Sequence, residues 1–228
     1  MSRGRGRGGG KERVRTARRR TAGSTRWLQR QLDDPYVKKA KADGYRSRAA
    51  YKLIELDERF ALLKGVKNVI DLGHAPGGWT QVVRQQVPHA KVVGIDILPT
   101  DPIEGAVLLE MDFMDDAAPD RLKDELGGPA DLVLSDMAAN TIGHKQTDHL
   151  RTMGLVEAGL DFALDVLRPG GAFVAKVLAG GADKALVDLL NKNFDSVKHA
   201  KPPASRKGSS EWYVVAKGFR GPSVDAEA

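Results

Sequence analysis

The stretch DLGHAPGGWTQ, residues 71–81, gives the clearest indication of the fold. The preceding residues VKNVI are mostly apolar and indicate a short buried strand, whereas the following WTQVVRQQV has the apolar spacing of a helix. Glycine has no Cβ, so it lets a ligand approach the main chain, and free N–H groups at a helix N-terminus point toward whatever binds there. The stretch therefore predicts a ligand-binding loop between a strand and a helix.

The rest of the chain alternates predicted strands with predicted helices. This alternation favours a parallel sheet covered by helices on both faces, with ligands bound outside the carboxyl ends of the strands. The last two strand-like segments, 194–201 and 211–217, are joined by a loop too short for a helical crossover, so we expect them to pair antiparallel. The other strands are predicted near residues 68–72, 91–95, 107–110, 131–135 and 171–178, and helices near 45–63, 78–87, 118–126, 147–167 and 182–193.

Basic charge is concentrated at the start of the chain. The 228 residues carry a net charge of +6, but residues 1–30 alone contain eleven Lys/Arg against one acid, and the remaining 25 basic and 29 acidic residues carry −4. Residues 1–23 have almost no apolar side chains, so we predict a disordered tail there, followed by one domain over 24–220 and a short C-terminal tail, 221–228. The arginines indicate a nucleic-acid partner, although a solubilising or targeting tail has a similar composition.

The composition excludes several classes of protein. Without cysteine, the chain has no disulfide, zinc–thiolate site or cysteine nucleophile. The longest run free of formal charge, residues 72–83, has twelve residues, fewer than the ~20 needed to span a bilayer. The basic N-terminus is not followed by the apolar region of a signal peptide. We therefore expect a cytoplasmic protein with no membrane partner, and we expect a monomer.

Acidic residues gather at the ends of four predicted strands. A single aspartate at such a place is most often a helix cap or turn residue, but four on the ligand-binding edge of one sheet are better explained by a shared crevice. Lys176, within the fifth strand, would face the same crevice. The four aspartates are Asp71, Asp96, Asp112 and Asp136.

The loop sequence distinguishes between two kinds of nucleotide ligand. A dinucleotide site favours G-x-G-x-x-G, but this loop reads G-H-A-P-G-G, and Pro76 removes one N–H that would cradle a pyrophosphate. Asp96, about twenty residues beyond the loop, suits the ribose hydroxyls of either ligand. Acidic residues along the crevice favour a neutral or cationic ligand, and S-adenosylmethionine carries a sulfonium. These features favour S-adenosylmethionine.

Six segments in a fixed order carry a resemblance to a known family: RSRAAYKL, DLGHAPGGWTQ, DILPTDPI, LSDMAAN, LRPGGAFVAKV and SSEWYVVAKG. With this spacing over residues 24–218, the chain resembles the FtsJ/RrmJ-type (RlmE) ribosomal RNA 2′-O-methyltransferases. The resemblance implies an α/β, Rossmann-like methyltransferase fold with a seven-stranded, mostly parallel sheet and an antiparallel last strand. It also implies S-adenosylmethionine as methyl donor and a uridine ribose in the 23S ribosomal RNA of the large subunit as acceptor.

The resemblance also implies roles for individual residues, with no metal. The chain departs from the family pattern at His74, where a small residue is common, and in SDMAAN, which replaces a more usual Met-Ala-Pro-Asn. Neither departure removes a chemical group from the site, although the lost proline is expected to loosen the loop after Asp136. The family's catalytic set corresponds to Lys52, Asp136, Lys176 and Glu211, and its donor site to Gly77, Trp79, Asp96, Asp112 and Asp136.

Three of these predictions leave alternatives open. A ribose 2′-hydroxyl must lose its proton as it attacks, so Lys176 either accepts that proton as a base or, if it stays charged, stabilises the developing oxyanion. Trp79 either stacks on adenine or fills the junction between helix and sheet. The basic residues before Lys52 either bind RNA phosphates or form a solvated helix face. These basic residues are Arg26, Arg30, Lys38, Lys39, Lys41, Arg46 and Arg48.

Two other functions compete with methylation of ribosomal RNA. A non-catalytic RNA-binding or ribosome-assembly factor would explain the basic tail, but it would have no need of a buried lysine between carboxylates. The same reaction on a tRNA or an mRNA cap is the second alternative. A cap enzyme needs a separate stacking pocket for the cap base, and no spare aromatic cluster is visible in the sequence.

Overall fold

The structure of the protein, a computed structural model, describes residues 29, 31–139, 143–178 and 184–222. The predicted tail of residues 1–23, Arg26 and Arg30 lie outside these residues, as do the last six positions of the chain. The helices are α1 (Pro35–Ala42), α2 (Ala49–Phe60), α3 (Gly78–Gln86), α4 (Ala118–Leu126), α5 (Lys145–Val166) and α6 (Lys184–Asn193). The strands are β1 (Asn68–Leu72), β2 (Lys91–Asp96), β3 (Ala106–Glu110), β4 (Ala130–Ser135), β5 (Leu167–Leu178), β6 (Phe194–Ala200) and β7 (Glu211–Phe219).

Seven strands of the described residues form one sheet in the order β3-β2-β1-β4-β5-β7-β6. Strands β1 to β5 pair in parallel, whereas β7 inserts between β5 and β6 and runs antiparallel to both. The predicted α/β fold and its antiparallel last strand are therefore confirmed. Because the order reverses direction between β1 and β4, a crevice opens at the carboxyl ends of these strands.

The strand and helix predictions agree with the structure to within a few residues, with two differences. Strand β5 begins at Leu167 rather than at residue 171, so it is longer than its apolar part indicates. Helix α1 was not predicted, because its sequence PYVKKAKA is short and rich in lysine and buries only Ala40. Its start is nevertheless specified locally, since Asp34 caps the helix by accepting a hydrogen bond from the Tyr36 N–H and Pro35 occupies the first turn.

The two faces of the sheet are covered by different helices. Helices α2 and α3 pack on one face, where Leu53, Trp79 and Val83 belong to one apolar cluster. Helices α4, α5 and α6 pack on the other face, where Leu122, Leu160 and Leu190 belong to a second cluster. The functional crevice is thus supported by a packed core on both sides of the sheet. No helix in the described part of the chain is both long and apolar enough to cross a membrane.

Candidate active site

The loop of residues 73–77, here called the glycine loop, is packed against other parts of the protein. A Cβ on Gly73 would lie 2.8 Å from Met137 Cγ, and one on Gly77 would lie 2.6 Å from Ile103 Cδ1. A Cβ on Gly78, the first residue of α3, would lie 2.5 Å from Ser47 Oγ. The sequence prediction that these glycines leave room for a ligand is therefore incomplete, because neighbouring protein segments occupy the space that a Cβ would fill.

Asp96, the last residue of β2, connects the glycine loop to the loop of residues 97–105, here called the β2–β3 loop. One of its carboxylate oxygens accepts a hydrogen bond from the Ala75 N–H at 3.0 Å, and the other accepts one from the Leu98 N–H at 2.9 Å. Asp112 similarly accepts from the Met114 N–H at 2.9 Å. Each aspartate therefore acts as a turn residue, and each also lines the cavity between the two loops.

A cavity of about 460 Å³ opens at the carboxyl ends of β1, β2 and β4, within the range typical of small-molecule sites. Three carboxylates, those of Asp96, Asp112 and Asp136, lie along its wall. Its apolar wall includes Ile95, Ile97, Leu98, Phe113, Met114 and Leu155. An apolar cavity with three acidic groups suits a ligand that combines a planar apolar body, hydroxyls and positive charge.

Asp71 does not face this cavity, contrary to the prediction of four carboxylates in one crevice. It lies within β1 rather than after it, is fully buried, and accepts a 2.6 Å hydrogen bond from the Thr80 hydroxyl of α3. Burial raises the pKa of Asp71 to about 7, a rise that the Thr80 hydrogen bond opposes and that the charges of Asp136 and Asp96 increase. Strand alternation explains its position, because the side chain points to the sheet face that α3 covers.

Trp79, predicted to contact the donor, is a core residue in the structure. Its side chain is buried, and Nε1 donates a 2.8 Å hydrogen bond to the Ala49 carbonyl. The indole ring lies 5.6 Å from the Tyr213 ring. Neither Trp79 nor Gly77 is part of the cavity wall, whereas Asp96, Asp112 and Asp136 are. Trp79 therefore packs in the core between the helices and the sheet, which is the second of the two alternatives that the sequence left open.

The four residues predicted to be catalytic come together beside the cavity. Lys176 Nζ lies 3.2 Å from Asp136 Oδ1 and donates a 2.5 Å hydrogen bond to the Asp136 carbonyl. Lys52 Nζ lies 3.8 Å from the same Oδ1 and 3.4 Å from Glu211 Oε2. Both lysines are buried. Helix α2, the end of β4, strand β5 and the start of β7 thus contribute one group each, and Asp136 belongs to both this cluster and the cavity wall.

Tyr213 is a member of the cluster that the sequence analysis missed. Its hydroxyl donates a 2.6 Å hydrogen bond to Asp136 Oδ1, and Lys52 Nζ lies 5.6 Å from its ring centroid. Burial and the nearby Asp136 carboxylate raise the pKa of Tyr213 well above its usual value, so it stays a donor. The register of the antiparallel β5–β7 pair could have identified this residue, because Tyr213 lies opposite Lys176.

The charge of Asp136 is stabilised by this surrounding cluster. Burial by itself would raise the pKa of the carboxyl, but the positive charges of Lys176 and Lys52 and the Tyr213 hydroxyl outweigh burial and hold the pKa below its ordinary value. The carboxylate therefore remains ionised at neutral pH and holds the two lysine side chains at the edge of the cavity. Such an arrangement presents a buried lysine amine to a substrate that enters beside the cavity.

The basic residues before Lys52 divide into two groups. Arg46 and Arg48 are engaged within the protein: Arg46 donates to three backbone carbonyls, and Arg48 pairs with Asp34 at 3.2 Å. The prediction that their guanidinium groups bind phosphate is therefore not supported by their contacts. The exposed lysines of this segment are Lys38, Lys39 and Lys41 of α1.

His74 belongs to the glycine loop, and its side chain is buried. A Cβ on Gly94 of β2 would lie 2.7 Å from the His74 ring, so glycine at that position provides the space for histidine. Burial lowers the pKa of His74, although the charge of Asp96 opposes this. No group of three or more His, Asp or Glu side chains in the described ranges is placed to hold a metal ion.

The chain is similar to known proteins of one family. The family model for FtsJ-like methyltransferases matches residues 45–219. Two bacterial relatives, both named ribosomal RNA large subunit methyltransferase E, are each 71% identical to this chain. The protein from Novosphingobium aromaticivorans matches over 92% of this chain and 95% of its own length, and that from Rhizorhabdus wittichii over 93% of each.

One solved structure is similar in both fold and sequence. It is the crystal structure of a Plasmodium falciparum protein described as a ribosomal RNA methyltransferase, with a TM-score of 0.69 and 34% sequence identity. The match covers 78% of this chain and all of the Plasmodium chain. Residues 45–219, which match the family model, include the strands and helices that carry the cavity and the lysine–carboxylate cluster.

Proposed function

The chain belongs to the FtsJ-like methyltransferase family, and from this we propose that it transfers a methyl group from S-adenosylmethionine to the ribose 2′-hydroxyl of a uridine in the 23S RNA of the large ribosomal subunit. The observation that carries the proposal is the placement of Lys52 and Lys176 around Asp136, at the edge of a cavity of suitable size. The names of the relatives support large-subunit ribosomal RNA as substrate. We propose that the protein acts in the cytoplasm as a monomer.

The cavity fits S-adenosylmethionine by its size and by the chemistry of its wall. Asp96 would accept hydrogen bonds from the ribose hydroxyls, and Asp112 lies beside the apolar side chains of Phe113 and Met114, which suit an adenine ring. Asp136 is ionised and would lie on the side of the positively charged sulfonium and amino groups. When bound, the donor supplies an electrophilic methyl group on its sulfonium.

Lys176 is the residue that we assign to the acceptor hydroxyl. Its amine is held by the Asp136 carbonyl at 2.5 Å and faces the Asp136 carboxylate at 3.2 Å, which restricts its position without occupying all of its hydrogen-bonding capacity. A neutral amine would accept the proton of the 2′-hydroxyl as the new C–O bond forms. An ammonium would instead stabilise the developing negative charge on the oxygen, with the proton passing to solvent.

Lys52 and Glu211 form the outer part of the cluster. Lys52 is held between Asp136 and Glu211, and the Glu211 side chain is about one-third exposed, so it is accessible to an acceptor. We assign both residues to positioning the acceptor ribose. The RNA phosphates would contact the exposed lysines of α1, together with the basic tail of residues 1–23.

The proposed function is tested with purified protein, labelled S-adenosylmethionine and three RNA preparations: free 23S RNA, assembled large subunits and transfer RNA. We expect methyl incorporation into one or both large-subunit preparations, resistance of the modified bond to alkaline cleavage, and loss of incorporation in Lys176→Ala. Mapping of ribose methylation in cells with and without the protein identifies the nucleotide. Incorporation into transfer RNA alone would contradict the proposed substrate, and donor binding without transfer to any RNA would favour a binding factor.

A further inference from the structure

Arg46 precedes α2 and joins two loops that are distant in sequence. Its Nη1 donates hydrogen bonds to the carbonyls of Pro76 at 3.3 Å and Asp101 at 2.6 Å, and its Nη2 donates to the carbonyl of Pro102 at 2.8 Å. Pro76 belongs to the glycine loop, and Asp101 and Pro102 belong to the β2–β3 loop. One guanidinium therefore bridges the two loops.

The backbone around Arg46 is also attached to α3, the helix that follows the glycine loop. The Arg46 N–H donates a 2.8 Å hydrogen bond to Gln81 Oε1, and Gln81 Nε2 donates to the Gly44 carbonyl at 3.2 Å. These two contacts fix the segment from which the Arg46 side chain extends. The guanidinium is thus anchored at its base as well as at its carbonyl partners.

Both bridged loops form walls of the cavity. The glycine loop contributes Gly73 and Ala75, and the β2–β3 loop contributes Ile97 and Leu98. Asp96 connects the same loops through the Ala75 and Leu98 N–H groups. Asp96 lies in the cavity wall, whereas Arg46 is absent from it and bonds carbonyls farther along each loop. The separation between the walls is therefore set at two places.

Gly77 makes this bridge possible. Its φ is +106°, and a Cβ at this position would lie 2.6 Å from Ile103 Cδ1 and 3.2 Å from Arg46 Nη1. A Cβ there would require the Ile103 side chain to shift and would crowd the guanidinium, and any side chain at this positive φ would strain the backbone. Glycine therefore suits this position through its backbone conformation and through the space that it leaves for Ile103 and Arg46.

From these contacts we infer that Arg46 is a positioning residue for the methyl-donor site: it holds the glycine loop and the β2–β3 loop at the separation that the donor requires, without contacting the donor. The inference rests on the proposed function, because it takes the cavity to be the donor site. Forked donors are well suited to this task, since one planar group can satisfy carbonyls from two chain segments at once. Arg46 is an exposed residue, and these contacts direct its guanidinium toward the carbonyls of the two loops.

The chain offers a matched control in Arg84 of α3. Its Nε donates a 3.0 Å hydrogen bond to the Glu104 carbonyl at the far end of the β2–β3 loop, and its Nη1 donates to the Ala90 carbonyl at 2.5 Å. Arg84 therefore also binds this loop through backbone carbonyls, but none of its described contacts reaches the glycine loop. Arg84→Ala removes a comparable charge and comparable hydrogen bonds without releasing the bridge.

The test measures S-adenosylmethionine binding by calorimetry, RNA affinity by filter binding, and single-turnover methyl transfer at saturating donor, for the wild type, Arg46→Ala, Arg46→Lys and Arg84→Ala. We expect Arg46→Ala to raise the donor Kd about tenfold, roughly the loss of one charged hydrogen bond, while the transfer rate at saturating donor and the RNA affinity stay within about twofold. Arg46→Lys, whose compact ammonium cannot span the carbonyls of both loops as the planar guanidinium does, should raise the Kd about threefold, and Arg84→Ala should change it less than twofold.

Two results would overturn the inference. One is a donor Kd for Arg46→Ala equal to that of a binding-competent wild type; the other is a loss of RNA affinity with unchanged donor binding, which would make Arg46 a phosphate ligand. If Arg46→Ala does not fold, as judged by circular dichroism, Arg46→Lys decides in the same way, and a wild-type Kd for it contradicts the bridge. Failure of the wild type itself to bind S-adenosylmethionine would instead contradict the proposed function.

Discussion

The Tyr213 hydroxyl donates a 2.6 Å hydrogen bond to Oδ1 of Asp136. The same oxygen faces Lys176 at 3.2 Å and Lys52 at 3.8 Å. Asp136 therefore holds three buried side chains through one atom, and its ionised state depends on all of them. The position of Lys176 is defined from both sides, since the Asp136 backbone carbonyl also accepts from its amine.

Replacing Tyr213 with phenylalanine is expected to have a small effect on methyl transfer. The change removes one hydrogen bond to Asp136 but leaves both lysines and the ring contact with Trp79 in place, so we expect a rate loss of less than about tenfold at saturating donor. Single-turnover kinetics measure the loss, and thermal unfolding shows whether the core is intact. A loss of a hundredfold or more in a folded variant would place Tyr213 among the catalytic groups.

Replacing Lys176 with alanine is expected to abolish transfer and preserve donor binding. Its amine lies in the cluster and is not part of the cavity wall, and groups that move a proton or stabilise charge typically contribute ~10²–10⁴-fold in rate. Lys192→Ala, at an exposed position of α6, is the control with unchanged rate. If Lys176→Ala keeps more than about a tenth of the wild-type rate, the assignment is wrong and Glu211 becomes the next candidate.

Replacing Asp136 with asparagine is expected to lower donor affinity and transfer rate together. The carboxylate belongs to both the cavity wall and the cluster, and its removal leaves two buried lysines without their shared counterion. Calorimetry with S-adenosylmethionine and single-turnover rates at saturating donor separate the two effects. An unchanged donor Kd with a reduced rate would limit the role of Asp136 to the cluster.

Replacing Asp71 with asparagine is expected to stabilise the protein more at pH 8 than at pH 5. The folded-state pKa is raised to about 7 from 3.8, so folding favours the protonated carboxyl. The stability that the protonated Asp71 carboxyl contributes is fully present below the unfolded-state pKa. It is lost as the pH rises through the folded-state pKa. Asparagine keeps an oxygen for the Thr80 hydroxyl and has no charge to bury.

Urea unfolding of the wild type and Asp71→Asn at the two pH values tests this prediction. The stabilisation at pH 8 should exceed that at pH 5 by the order of 1–3 kcal/mol, because the destabilisation by this carboxyl begins above its unfolded-state pKa and keeps growing until the pH passes its folded-state pKa. An equal difference in unfolding free energy at both pH values would mean that the Asp71 carboxyl titrates normally in the folded state.

Deleting residues 1–23 is expected to weaken RNA binding and reduce its salt dependence, while donor binding and thermal stability stay unchanged. The segment is strongly basic and almost without apolar side chains, so it contributes charge and no core. Filter binding across a salt series measures the slope, with Lys192→Ala as a single-charge control. A slope equal to that of the full chain would assign the tail to a task other than RNA binding.

Most of the fold could be predicted from the sequence because its signals are local. Apolar runs and turn residues defined the strands, and the alternation of strands and helices implied a parallel sheet with its ligands at one edge. Helix α1 escaped prediction because it is short and rich in lysine, and because it is stabilised mainly by a cap at Asp34 and by contacts with α2 and the segment before β7. Its position depends on residues far along the chain.

The sequence by itself determined which chemical groups would meet at the sheet edge: strand ends of a parallel sheet converge, so Asp96, Asp136 and Lys176 could be placed together before the structure was known. Only the tertiary structure decided which neighbours each group has. Asp71 faces α3, Trp79 lies in the core, and Tyr213 joins the cluster, because a side chain's surroundings depend on strand alternation and on register with distant segments. Arg46 shows the same limit: a basic residue in a basic segment resembles a phosphate ligand, and only packing reveals that its partners are three carbonyls of two loops.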